Sequence, residues 1–148
     1  MDEKEYRENQ SKKDYLLSYK KACKRIQSLN EQLDSLQEVE QSIKSQQLTD
    51  MPKGGNRKQD LSDLMVRVED LEIQIADAIT ESCKIKLEIE GVLWEMDDTE
   101  GSRVLRFRYI YFMPWEQISR IMSYSRKQIQ RIHQKAIQNL KDVPQCPI

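Results

Sequence analysis

Ser125-Arg-Lys-Gln-Ile-Gln-Arg-Ile-His-Gln-Lys-Ala-Ile-Gln-Asn-Leu140 opens on a helix-start signal and then separates into two faces. Ile129, Ile132, Ala136 and Leu140 recur at helical spacing and form an apolar stripe. Arg126, Lys127, Gln130, Arg131 and Gln134 crowd the other side with long hydrogen-bonding side chains. Arg and Gln are the side chains that recognise base edges in the major groove, because each presents two hydrogen bonds in one plane. The pattern therefore predicts a helix that buries one face and offers the other to DNA. A plain basic amphipathic helix has the same outline, and the preceding segment decides between them.

That segment, Pro114-Trp-Glu-Gln-Ile-Ser-Arg-Ile-Met122, predicts a second short helix. Proline suits the first turn, where its missing N–H would be unpaired in any case. Ile118, Ile121 and Met122 fall on one face, and Ser119 is small enough for a helix to cross closely. After the intervening Ser123-Tyr124, Ser125 and Gln128 have the spacing of a capping box, and Tyr124 and Ile129 that of a hydrophobic staple. Two short helices joined by about three residues are expected to form a helix-turn-helix.

From about Glu100 to Lys141 the chain resembles the fourth region of the primary bacterial sigma factors, which reads the upstream promoter element. The resemblance rests on Val104-Leu-Arg-Phe-Arg108, on Glu116-Gln-Ile-Ser119, and most on the pattern from Ser125-Arg126 through Ile129, Ile132, Lys135-Ala136 and Leu140. It implies base and phosphate contacts for Arg126, Lys127, Gln130 and Arg131. Lys127 stands where primary members carry an acidic residue, which implies a base preference other than the standard promoter element. Ser123 replaces the turn glycine common in helix-turn-helix proteins, at a modest strain penalty if its backbone is left-handed. The whole chain is similar to small phage and prophage proteins of Gram-positive bacteria, late-transcription regulators among them. They place a helical region and a Met-Pro-Lys/Arg-Gly-Gly linker before a sigma-like domain, and Met51-Pro-Lys-Gly-Gly55 matches that linker.

The formal net charge of −1 hides a segregation of charge. Residues 101–148 hold nine Lys/Arg against Glu116 and Asp142, a balance of +7 that leaves −8 for residues 1–100. A basic C-terminal segment behind an acidic one suits local phosphate binding without general adhesion. With 33% charged residues and only four Gly and four Pro, the chain reads as an all-α, long-helix protein. No apolar run approaches the roughly 20 residues of a membrane span, and the polar N-terminus is not that of a signal peptide. Cys23, Cys83 and Cys146 lack ligand spacing and read as reduced thiols of a bacterial cytoplasm. His133 is read as a residue of the last helix near phosphate with no special chemistry.

Two heptad seams precede the C-terminal segment. Tyr15, Tyr19, Ala22, Ile26, Leu29, Leu33, Leu36, Glu40 and Ile43 alternate spacings of three and four, with Glu40 the one charged member. Leu61, Leu64, Val68, Leu71, Ile75, Ala78, Ser82, Ile85, Ile89, Val92 and Met96 form the second, which spans about 54 Å as a helix. Each seam needs a partner helix, within the chain as a helical hairpin or between chains as a coiled coil. The expected organisation is an N-terminal helix at 1–45, a flexible basic linker at 46–58, a second helix at 59–97, and a helix-turn-helix domain at 99–142. Asp97-Asp98-Thr-Glu-Gly101 should stop one helix and start another, and Trp94, Phe112 and Trp115 are expected in the small core beyond it.

The expected function is that of a phage-type, sequence-specific DNA-binding transcription regulator. Its candidate DNA contacts are Ser125, Arg126, Lys127, Gln128, Gln130, Arg131, Gln134 and Lys135, with Arg108 and Arg120. Double-stranded DNA is the expected partner, with self-association through the heptad helices and, by resemblance, a contact with host RNA polymerase. The competing reading is a small-terminase-like DNA-packaging protein, which combines the same parts in a ring. No catalytic or metal-binding constellation and no cofactor motif occurs in the sequence, so a non-enzyme is expected.

Overall fold

A computed structural model describes residues 2–47, 56–141 and 143. Five α-helices account for most of them: α1 (Glu3–Gln47), α2 (Asn56–Trp94), α3 (Thr99–Leu105), α4 (Trp115–Met122) and α5 (Arg126–Asn139). A π-helical turn, Arg106–Ile110, continues α3. The described residues contain no strand. The all-α expectation holds at this level. The ends of the expected linker, residues 46–47 and 56–58, are helical. Its centre, including Met51-Pro-Lys-Gly-Gly55, lies outside the described residues, as does Cys146.

Contacts divide the chain into two compact units, residues 1–22 with 82–148, and residues 23–81. In the second unit, α1 and α2 lie side by side along their heptad seams. Leu29, Leu64 and Leu71 are buried, and Ile26, Leu33, Leu36, Ile43, Leu61, Val68, Ile75 and Ala78 are half-buried. Glu40, the charged seam member, is half-buried and meets Lys44 one turn on at 2.8 Å, which keeps its carboxylate paired at the edge of the seam. The pairing of the two segments is therefore made within the chain.

The first unit carries the larger core. Tyr15 and Leu16 of α1 and Ile89 and Leu93 of α2 share one cluster with Leu105, Tyr109, Ile110, Ala136, Ile137 and Leu140. Here the long helices are covered from two sides, by each other and by the C-terminal helices. That is why Leu16 and Leu93, which stand beside the seam, are fully buried, while the seam members Tyr19, Ile85 and Val92 are half-buried. Polar ties reinforce the arrangement: Lys12 donates to the Gln138 carbonyl at 3.1 Å, and Gln138 donates to Glu5 at 3.4 Å. Residues of α3, the π-helical turn and α5 thus share this cluster with the long helices, beside a smaller cluster about Val104, Ile118 and Ile129 that lies wholly within 99–142.

Asp98 caps α3, its carboxylate accepting from Gly101 N–H at 3.0 Å, and buried Ser102 donates to the Leu93 carbonyl at 2.9 Å. The helix start expected near Asp98 is present, but Gly101 lies inside α3 rather than at a stop. A β-carbon at Gly101 would stand 2.8 Å from Cβ of Ala136 and 2.3 Å from the Asp98 carboxylate. Glycine is there because α3 and α5 touch at that point. Gly101→Ala is expected to lower stability by about 1–3 kcal/mol through overpacking. Denaturant unfolding of the full chain checks this, and an unchanged midpoint would mean that the crossing is loose.

The aromatic residues distribute differently from expectation. Trp94 is 82% exposed, because its helical phase turns it away from α1. Phe112 is 39% exposed and stacks on Tyr19 with ring centroids 5.5 Å apart. Trp115 alone of the three packs into the C-terminal core. Phe112 has a positive φ of 54°, a strained conformation for a bulky residue that the stacking against Tyr19 helps to hold.

Candidate nucleic-acid interface

Val104, Ile118 and Ile129 are fully buried together, one from each of α3, α4 and α5, with Phe107, Met113, Trp115, Met122, Tyr124 and Ile132 packed around them. Ile118 and Met122 follow the expected inward face of α4, whereas Ile121 is 42% exposed. Pro114 serves as the N-cap of α4 rather than its first helical residue. Its carbonyl accepts from Gln117 at 3.0 Å and Ile118 at 3.2 Å.

The turn between α4 and α5 is fixed by local chemistry. Ser123 is left-handed (φ 57°, ψ 39°), the conformation that makes glycine common at such a position. Tyr124 N–H donates to the Ser119 carbonyl at 3.2 Å, while the Ser119 hydroxyl donates to the Tyr124 carbonyl. Both halves of the capping box form. Gln128 N–H donates to Ser125 Oγ at 3.2 Å, and Ser125 N–H donates to Gln128 Oε1 at 2.9 Å. Tyr124 and Ile129 join the same apolar cluster, as a hydrophobic staple requires. The Tyr124 hydroxyl donates to Glu100, which bridges the turn to α3 and raises the phenol's pKa.

With the cap in place, α5 divides into two faces. Ile129, His133, Ala136 and Ile137 are buried. Ser125, Arg126, Lys127, Gln128, Arg131, Gln134 and Lys135 are exposed, and Gln130 is half-buried beside them. No acidic residue occupies the first turn of α5. Among the described residues, Arg126, Lys127, Arg131 and Lys135 enter no salt bridge. Cations in the first turn oppose the helix dipole by roughly 0.3–1 kcal/mol each. The sequence keeps them at that cost, so the face is a poor choice for stability and a good one for receiving an anion.

Two candidate contacts behave differently from the rest. Arg120 is exposed on α4. Arg108 is half-buried and engaged. Its guanidinium donates to the Met113 carbonyl at 3.0 Å and lies 4.4 Å from the Trp115 ring centroid. Arg108 therefore holds the entry to α4 in place.

His133 is the main correction. It is 6% exposed and faces the interior, not a phosphate. Nε2 sits 2.8 Å from the Tyr109 hydroxyl, and the Trp115 ring meets the imidazole edge-on at 4.9 Å. Burial, aided by the positive charges of Lys13 and Arg108, pushes its pKa down to about 4. Burial pushes Tyr109 up to about 12. Position gives the missed signal: His133 is four residues after Ile129 and three before Ala136, on the centre line of the buried stripe. Its polar type hid that phase.

Among the described residues, no group of His, Cys, Asp or Glu could hold a metal ion. None of the described helices is long and apolar enough to cross a membrane. The molecule is an all-helical protein with a basic, unpaired helix face near its C-terminus. Residues 42–141 match the family described as protein of unknown function (DUF1492), and the chain belongs to that family. No curated protein and no solved structure matches.

Proposed function

We propose that the chain is a sequence-specific DNA-binding transcription regulator of phage or prophage type. In this reading α4 and α5 act as a helix-turn-helix like that of sigma region 4. The carrying observation is the division of α5, with Ile129, His133, Ala136 and Ile137 buried on one face and the other presenting exposed Arg126, Lys127, Gln128, Arg131, Gln134 and Lys135 from a capped N-terminus. Recognition helices meet base edges mainly through their first turns. Arg126 and, one turn on, Gln130 supply planar hydrogen-bonding groups there, and Arg131 supplies another on the adjoining strip. Lys127, a point charge, suits phosphate. Arg108 positions the entry to α4, while Arg120 and Lys135 extend the basic surface. A contact with host RNA polymerase belongs to the same proposal and rests on the resemblance alone.

Selection of duplexes from a random pool by the full chain tests this reading. One recurrent motif is expected, bound with an affinity that falls steeply with salt, since each phosphate contact contributes a slope near −0.9 in log–log form. A pool that returns no motif would overturn sequence-specific binding. A selected site at the upstream edge of promoters supports regulation, and one at a packaging origin would replace it with the packaging role.

A further inference from the structure

Lys12 and Lys13 are neighbours on α1, and the fold uses them differently. Lys12 donates to the Gln138 carbonyl at 3.1 Å. It supplies the cation that the last turn of α5 lacks in its own sequence. Gln138 in turn donates to Glu5 at 3.4 Å, so the first turns of α1 are tied to the C-terminal half of α5 within one compact unit. Lys13 is half-buried in the same region, yet it enters no salt bridge among the described residues. The positions three and four before it, where a carboxylate would pair along the helix, are Gln10 and Asn9. Three acids of these turns are engaged elsewhere, Glu3 with Arg7, Glu5 with Gln138 and Asp14 with Gln10.

A cleft of about 140 Å³ lies between the two helices, lined by Tyr6, Gln10 and Lys13 of α1 and by Gln134, Ile137 and Gln138 of α5. Among its described lining residues Lys13 is the one charged group. Gln134 and Gln138 follow Gln130 at one-turn intervals, so the cleft continues the strip of α5 that carries the proposed base-reading groups. We propose that this cleft receives a backbone phosphate of the bound duplex, with Lys13 as its cation and Gln134 as a hydrogen-bond donor beside it. The inference rests on the DNA-binding reading of α5 and adds α1 to the interface.

Charge and position choose that occupant. Withdrawing an ammonium from water without a partner is unfavourable, and an arriving anion relieves it. Lysine is a compact point charge, suited to phosphate rather than to the planar edge of a base. Amide and phenol groups such as those around it are common donors to phosphate oxygens. A recognition helix whose first turns meet base edges has its far end free to meet the backbone, and the cleft lies along that far end.

The test uses the full chain on the selected duplex and on a scrambled one across a range of salt concentrations. Lys13→Gln should weaken both duplexes about equally, by roughly tenfold, and reduce the salt slope by about 0.9. Lys13→Arg keeps the charge and should keep the slope. Lys21→Gln removes the same charge about 12 Å farther along α1 and should leave affinity and slope close to those of the wild type. Gln10→Glu places a carboxylate one turn before Lys13 at an exposed position. It should weaken both duplexes at least as much as Lys13→Gln, and it carries the test if Lys13→Gln fails to fold. Wild-type binding by either variant, or a loss matched by Lys21→Gln, overturns the proposal and leaves DNA binding by α5 intact. A loss confined to the selected duplex also overturns it, because a phosphate carries no sequence information. For the same reason the comparison holds even if selection returns no motif, whereas a chain that binds no duplex overturns both readings.

Discussion

Leu16→Ala is expected to destabilise the unit that carries α4 and α5 by about 2–5 kcal/mol, the range for removing a fully buried leucine side chain. Leu16 is 0% exposed and shares its cluster with Ile137 and Leu140 near the far end of the chain. The loss combines transfer of the leucine methyl groups to water with the cavity left among side chains that cannot fully collapse. Trp115 lies in the adjoining core of the same unit and serves as a fluorescence probe. A lower denaturant midpoint by that probe is the expected result. If Trp115 reports no change, α1 is not part of the unit that holds the basic helix face. The same packing bears on fragments. A piece limited to residues 99–142 would expose Leu105, Tyr109, Ile110, Ile137 and Leu140, so binding is best dissected by substitutions in the full chain.

Acid is expected to weaken the same unit through His133. Its pKa, ordinarily 6.5, falls to about 4 in the folded protein, so the folded state resists a proton that the unfolded chain accepts. Between those two values the unfolded state binds more protons, and stability must fall as pH falls. The contribution is fully present above about pH 6.5 and is lost on descending to about pH 4, a change of roughly 3 kcal/mol. His133→Gln keeps a neutral hydrogen-bonding group near Tyr109 and removes the titration. The stability difference between wild type and this variant should therefore shrink from neutral pH toward pH 4.5, which also separates His133 from the carboxylates common to both. A His133 imidazole that titrates near 6.5 by nuclear magnetic resonance would contradict the buried pairing with Tyr109.

The helical elements were legible because their signals are local. The capping box at Ser125–Gln128 and the division of α5 into faces require only residues three and four apart, and both appear in the structure. Every described position of the two heptad seams is buried or half-buried, Ser82 and Glu40 included. What could not be read was the assembly of distant segments. Leu16 and Leu93 are buried because α3, the π-helical turn and α5 cover a second side of the long helices, and no pattern within α1 announces that neighbour. Two misplacements share another cause, the assignment of a residue by type rather than by phase. Trp94 was expected inside for being aromatic, and His133 outside for being polar. Their helical positions point the other way, and the structure follows position.

The central claim is that the exposed face of α5 reads bases. Its most direct test compares Arg126→Ala, Gln130→Ala, Arg131→Ala and Lys127→Ala on the selected duplex and on a scrambled one, at one salt concentration. Loss of a base-reading Arg is expected to cost roughly 1–3 kcal/mol on the selected duplex, with little change on the scrambled one and relaxed preference at one base position. Lys127→Ala should weaken both duplexes about equally. Equal losses on both duplexes for Arg126→Ala, Gln130→Ala and Arg131→Ala would contradict the claim and leave this face a holder of the DNA backbone.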